Sequence, residues 1–355
     1  MKLGFGLYRH MLDEKHFDFA RQCGATHIVV HMADYFRGSQ TFSKTDQPIG
    51  DQQGWGVSEP VIWTVDELLA IRQQIESHGL VFYAIENFEP AHWHHILFDG
   101  PRKLEQMEVV KQIIRNVGEA GIPVFGYNFS LSGVAGRVIG NKARGGAQTV
   151  GLEGRSKQTD SLLPRSMAWN MLVDPEAQGF WPATSQEQLW QRLEYFLREI
   201  IPVAEQAGVR LAAHPDDPPL EEVRGQPRLV YQPYLYQKLL DIYPSKANAL
   251  EFCLGTVAEM SEGDIYRAVE QYVSQGAICY IHFRNVHGRV PHYHETFIDE
   301  GDIDMARVLR ILQKYQFDGV LIPDHSPQMS CAAPWHAGMA FAMGYMRALM
   351  QQGLD

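Results

Sequence analysis

Eight short apolar runs alternate with amphipathic stretches along the chain. The runs are KLGFGLY (2–8), HIVVHM (27–32), LVFYAIEN (80–87), IPVFGYNFS (122–130), RLAAHP (210–215), NALEFCLGT (248–256), ICYIHFRN (278–285) and GVLIPDH (319–325). Each is apolar almost continuously, as expected of strands buried on both faces of a parallel sheet. Between them, VDELLAIRQQIESHG (65–79), QLWQRLEYFLREIIPVAEQAG (188–208), DIYRAVEQYVSQG (264–276) and DMARVLRILQKYQF (304–317) carry apolar residues at every third or fourth position. That is the period of a helix with one buried face. Gly24, Gly79, Gly121, Gly208 and Gly276 precede strands, where a left-handed residue closing a helix favours glycine. Eight β-then-α units predict an α/β protein, a (β/α)8 TIM barrel that takes up residues 1–355 as a single domain.

Two connections are too long for ordinary loops, 33–63 after strand 2 and 131–185 after strand 4. Because both follow strands, both are expected over the mouth formed by the strand C-termini, where functional loops of this fold lie. The second contains GRVIGNKARGGAQTVGLEGRSKQ. It reads either as a solvated flexible loop or as a lid bringing Arg137, Lys142, Arg144 or Arg155 to an anionic substrate.

Composition narrows the function. The 355 residues are 45% hydrophobic, enough for a large core, and the formal charge of -11 argues against general affinity for nucleic acid or anionic membranes. A small anionic substrate is compatible with that charge if the pocket is locally basic. The first residues lack a basic segment followed by an apolar run, and no stretch of about 18 apolar residues occurs. A soluble cytoplasmic protein is therefore expected. Cys23, Cys253, Cys279 and Cys331 show no paired spacing, so a disulfide framework is not expected.

The chemistry lies at four strand ends. His214, Cys253, His282 and Asp324 close the last four apolar runs, and in a parallel barrel those ends converge. A lone histidine is more often packed or on the surface, but four donors at four successive strand ends read as ligands. Two imidazoles, a thiolate and a carboxylate suit a divalent ion of the Mn, Fe, Co, Ni or Zn group rather than Mg or Ca. Glu86 ends strand 3, Tyr127 and Asn128 end strand 4, and Asp216 and Asp217 follow His214. Arg284 shares the facing of His282, which makes it either an anchor for a substrate carboxylate or a counter-ion to an interior acid such as Glu251. His325, beside Asp324, is suited either to proton transfer or to a hydrogen bond behind the metal.

Motifs then point to a family. IIPVAEQAGVRLAAHPDDPP (200–219), AIEN around Glu86, YNF (127–129), CLGT (253–256), IHFRN (281–285), YHE (293–295), GDIDM (301–305) and PDH with Gln328 and Met329 (323–329) occur in order over most of the chain. By these the sequence resembles the metal-dependent mannonate dehydratases of hexuronate breakdown. The resemblance implies a xylose-isomerase-like barrel, a Mn²⁺ or Fe²⁺ ion on His214, Cys253, His282 and Asp324, and dehydration of D-mannonate to 2-keto-3-deoxy-D-gluconate. It matches His325 to a histidine that acts as acid or base with a downstream tyrosine. Where the family reads Pro-Gly-Tyr-Ser, this chain has Pro334-Trp335-His336-Ala337, so His336 or Tyr127 is expected to replace the tyrosine. Ile322 replaces an arginine of the family, and Glu251 an uncharged residue. Substrate contacts are expected from Arg284, Glu86, Asn128, Asp216 and His294, and a homo-oligomer is expected by analogy. The rival readings are a metal-dependent sugar isomerase or epimerase and a non-catalytic sugar- or metal-binding relative.

Overall fold

The computed structural model describes residues 1–38 and 54–352. The apolar runs form β1 (Lys2–Tyr8), β2 (His27–His31), β3 (Val81–Glu86), β4 (Val124–Tyr127), β5 (Arg210–Ala213), β6 (Asn248–Cys253), β7 (Ile278–His282) and β8 (Val320–Ile322). All eight pair in parallel in chain order, and β1 closes on β8 through Lys2↔Val320 and Leu3↔Leu321. The expected (β/α)8 barrel is what forms.

Successive strand residues face opposite sides, which splits the core in two. Val29, Ala84, Val124, Ala212, Ala249, Tyr280, Val320 and Ile322 pack together inside the barrel. Leu3, Phe5, Leu7, Ile28, Val30, Ile85, Phe125, Tyr127, Leu211, Leu250, Phe252, Ile281 and Leu321 face outward into the layer shared with the helices. The interior is narrow: a side chain at Gly4 would lie 2.4 Å from Val320.

Helix Gln186–Ala207 shows how the outer layer is specified. Its start is a capping box in which the Ser185 side chain accepts from Gln188 N, and the Gln188 side chain accepts from Ser185 N. It buries Leu189, Leu193, Phe196, Leu197, Ile200 and Ile201, and each such side chain contributes roughly 1.5–3 kcal/mol. It ends at Gly208 with φ 69°. Helix Val65–Ser77 likewise starts on a side-chain cap, Thr64 accepting from Glu67 N.

The first part of the 131–185 insertion is a paired sheet and not a solvated flexible loop. Arg137–Ala143 pairs antiparallel with Ala147–Glu153, which pairs with His292–Glu295, which pairs with Val286–Arg289. The insertion after β4 is thereby joined edge to edge with a hairpin after β7. The turn between its first two strands is Arg144–Gly146, where Gly145 and Gly146 have φ of 69° and 75°. Of the long connection 33–63, residues 39–53 lie outside the described residues; its flanks Tyr35 and Trp55 reach the mouth. Among the described residues, no helix is long and apolar enough to cross a membrane.

Candidate metal centre

The strand period places the donors. His214 is the next inward residue after Ala212, Cys253 follows Ala249 and Glu251, His282 follows Tyr280, and Asp324 follows Ile322. Cys253 and His282 sit side by side in the β6–β7 register. One donor atom each from His214, Cys253 and His282 falls within 4.8 Å of the others. Asp324 Oδ2 lies 3.5 Å from His282 Nδ1 and 4.0 Å from Cys253 Sγ. His214 Nδ1 donates to Pro215 O at 2.7 Å, which selects the tautomer with a lone pair on Nε2.

Electrostatics agree with a cation site. Burial alone would raise the Cys253 thiol, but the Arg284 charge and hydrogen bonds with His214 and His282 hold it well below its usual value. Thr256 adds donors to the sulfur, from N at 3.4 Å and Oγ1 at 3.2 Å. Burial opposes ionisation of Asp324 too, yet His325, His282 and Arg284 keep its carboxyl well below the carboxylate range. Against desolvation, the bond to Cys253 and the Glu251 charge lift His214 to about 9, and Asp324, Glu86 and Glu251 lift His282 well above 6.5. Protons on two imidazoles thus balance a thiolate and carboxylates, and a divalent cation would supply that charge while displacing the protons. Both ring nitrogens of His282 are buried without an aligned hydrogen bond. The donor set therefore fits a divalent transition metal.

Around the donors is a cavity of ≈ 90 Å³. Of the expected residues, His214, His282, Asp324, His325, Glu86 and Asn128 line it. Tyr8, His31, Tyr35, Trp55, Asn87, Arg137, Trp169 and Asp217 line it as well. Tyr8 stacks on His31 at 4.7 Å, and Tyr35 accepts from Asn87 Nδ2 at 3.0 Å. Tyr8 and His31 end β1 and β2 in the inward phase, a signal present in the sequence. Arg137, on the first strand of the insertion, is 9% exposed and sits over the Trp55 ring at 5.5 Å.

Five expectations are corrected. Tyr127 lies in the outward phase between Gly126 and Asn128, and its ring packs on Trp93 and Phe196 in the helix layer. His336, on helix Pro334–Gln352, packs on Phe19 at 4.8 Å and stacks on His16, away from the cavity. Neither lines the cavity; Tyr8 and Tyr35 are the phenols that do. Asp216 is spent on structure, accepting from Leu229 N and Val230 N at 2.9 Å and pairing with buried Arg228. Its neighbour Asp217 reaches the cavity instead. His294 packs at a tilt against His287, while the alternate facing turns Glu295 toward Arg284 and His325.

Arg284 is the fifth. Its guanidinium meets Glu295 at 2.7 Å, Asp217 at 3.1 Å, Asp324 at 3.2 Å and Glu259 at 3.4 Å. Four acids already saturate this one cation, which is 3% exposed and does not line the cavity. A substrate carboxylate would have to displace buried ion pairs, at a cost of several kcal/mol. It is a counter-ion, though to these acids rather than to Glu251. Among the other cations of the insertion, Lys142 pairs with Glu153, Arg144 with Asp299 and Glu300, and Arg155 with Asp160, all at the surface.

Comparison with known proteins adds an independent line. A mannonate dehydratase of Streptococcus pneumoniae (strain 70585) is 33% identical over 277 residues, covering 74% of each chain. The crystal structure of mannonate dehydratase from Streptococcus suis serotype 2 superposes with a TM-score of 0.76 at 26% identity, covering 100% of this chain and 93% of that one. D-psicose 3-epimerase from Clostridium cellulolyticum H10, with a TM-score of 0.59 at 9% identity and 99% coverage of both chains, shares the fold alone. The family model for D-mannonate dehydratase (UxuA) matches residues 1–150 and 169–351. With the barrel, the donor cluster and these likenesses together, the chain belongs to the D-mannonate dehydratase family of metal-dependent hydro-lyases.

Proposed function

We propose that this protein dehydrates a sugar acid, D-mannonate foremost, to the 2-keto-3-deoxy acid, using Mn²⁺ or Fe²⁺. The observation that carries this reading is one cavity of ≈ 90 Å³ shared by His214, His282, Asp324, Arg137 and His325. His214, Cys253, His282 and Asp324 would hold the ion, and it would stabilise negative charge developing on the substrate carboxylate.

The rest falls to side chains. In the reaction the C2 proton passes to a side-chain base and the C3 hydroxyl leaves protonated as water, and the resulting C2=C3 enol then tautomerises to the ketone. Arg137 faces the substrate acid group with its charge, raised in strength by the low-dielectric surroundings of a nearly buried site. Burial would lower His325, but Asp324 and Glu295 raise it above its ordinary value, so it carries the proton for the departing hydroxyl. Tyr8 and Tyr35 take the role of the family tyrosine. The insertion 131–185 covers the mouth as part of the one barrel domain, and its Trp169 and the nearby Trp55 exclude water. We place the enzyme in the cytoplasm as a homo-oligomer, on the analogy of related barrels.

The family match does not favour the isomerase reading. The test is a panel of hexonates and pentonates given to metal-reconstituted protein. A 2-keto-3-deoxy product is expected, D-mannonate giving the highest kcat/KM; a ketose from an aldose, or no turnover of any aldonate, would overturn the proposal.

A further inference from the structure

His282 stands between Asp324 on one side and the buried acids Glu251 and Glu86 on the other. Its Nδ1 lies 3.5 Å from Asp324 Oδ2, on the side of the donor cluster. Its Nε2 faces the other way, 3.0 Å from Glu251 Oε1 and 3.4 Å from Glu86 Oε2. Glu251 precedes Cys253 by two on β6 and pairs in register with Tyr280. It therefore occupies the inward layer beneath Cys253 and His282, with 0% exposure and no place in the cavity lining.

Local structure makes room for this acid. A Cβ at Gly126 on β4 would lie 2.4 Å from Glu251 Oε2 and 2.4 Å from the Tyr280 hydroxyl. A larger residue there would collide with both. Both Glu251 oxygens and both His282 ring nitrogens are buried without an aligned hydrogen bond. A carboxylate in a barrel interior is costly unless donors meet it, and those within reach are His282 Nε2, 3.0 Å from Oε1, and the Tyr280 hydroxyl beside Oε2.

We propose that Glu251 is a positioning residue for the metal centre: it accepts the Nε2 proton of His282 and so fixes the tautomer and ring orientation that offer Nδ1 to the ion. The inference rests on the metal-centre reading above. It follows the general rule that an imidazole ligand donates its other nitrogen to a carboxylate, which raises its basicity and locks its ring. Glu86 lies farther from the same nitrogen and also faces the cavity, so Glu251 is the nearer acid and the one enclosed beneath the site. A second cation on Glu86, Glu251 and His282 is the competing use of the cluster. It would require His282 to bind metal through both nitrogens, hence to lose both protons.

Two measurements decide it. In zinc-loaded wild-type protein, ¹⁵N spectra of histidine are expected to show His282 metal-bound at Nδ1 and protonated at Nε2. In Mn²⁺ titration calorimetry, Glu251→Gln should bind about 10- to 100-fold more weakly than wild type. Metal at Nε2, Mn²⁺ affinity of Glu251→Gln within about twofold of wild type, or two ions per wild-type chain falling to one in the variant would each overturn the inference. Absence of any metal binding by wild type would instead sink the metal-centre reading, and this inference with it. If the variant does not fold, the wild-type spectrum alone decides between Nδ1 and Nε2 as the metal-bound nitrogen.

Discussion

His325 is held from both sides: Nδ1 lies 3.0 Å from Glu295 Oε1, and Nε2 lies 3.2 Å from Asp324 Oδ1. Glu295 comes from the hairpin after β7, and the same oxygen receives Arg284 at 2.7 Å. Burial would raise the Glu295 carboxyl, but His325 and Arg284 hold it at about 2, so it is a fixed charge behind the imidazole.

That charge sets a pH prediction. Glu295 stabilises the protonated imidazole, so removing its charge lowers the pH at which His325 loses its proton. In Glu295→Gln, the alkaline limb of kcat should move down by roughly one pH unit or more. His325→Asn should keep its metal and lose turnover by about 10²-fold or more. An unmoved limb in the first variant, or activity within about threefold in the second, would reduce His325 to a hydrogen-bonding support.

Metal removal gives a second test. Chelation should abolish turnover, and Mn²⁺ or Fe²⁺ should restore it. Cys253→Ala and His282→Ala should each weaken metal binding by more than the 10- to 100-fold typical of residues behind the ligands. Elemental analysis after dialysis checks this; wild-type stoichiometry and affinity in both variants would refute the ligand assignment.

Arg137 and Arg284 should separate binding from stability. A charge-assisted contact contributes about 1.5–3 kcal/mol, so Arg137→Ala should lower kcat/KM for the best aldonate roughly 10- to 150-fold. Arg144→Ala, at a surface ion pair, should leave it near wild type. Arg284→Ala leaves four acids around an empty position and should destabilise the fold by on the order of 3–5 kcal/mol in urea melts. If Arg137→Ala is unimpaired while Arg144→Ala loses activity, the anchor is misassigned.

His92 offers a prediction away from the metal. It is 0% exposed, and its Nε2 donates to Val61 O at 2.8 Å. Burial lowers its pKa from 6.5 to about 4, with the Val61 bond opposing. Because the folded value lies below the unfolded one, the unfolded chain binds the extra proton first. This stability is complete above 6.5 and declines as pH falls toward 4, with about 2 kcal/mol lost by pH 5. Urea midpoints at pH 7.5 and pH 5 should therefore converge more closely in His92→Gln than in wild type. Equal convergence in the two proteins would show that His92 does not set this slope.

The barrel is legible in the sequence because strand and helix periodicity depend on near neighbours. So are the four donors: alternation along a parallel strand makes the residue two beyond an inward alanine or isoleucine inward as well, and His214 and Asp324 follow Ala212 and Ile322 in that way. The same parity turns Tyr8 and His31 toward the cavity and Tyr127 away from it, since Tyr127 sits between inward Gly126 and Asn128. Other choices exist only in three dimensions. The sheet that joins Ala147–Glu153 to His292–Glu295 is made of segments far apart in the chain, and it is this pairing that turns Glu295 inward rather than His294. Asp217 is chosen over Asp216 because Arg228 and two backbone amides claim the latter. Arg284 becomes a counter-ion because Asp217, Glu259, Glu295 and Asp324 arrive from four separate segments. A local pattern specifies which way a side chain points. Whether a charge is already neutralised depends on everything that folding brings to it, and that only the closed tertiary structure decides.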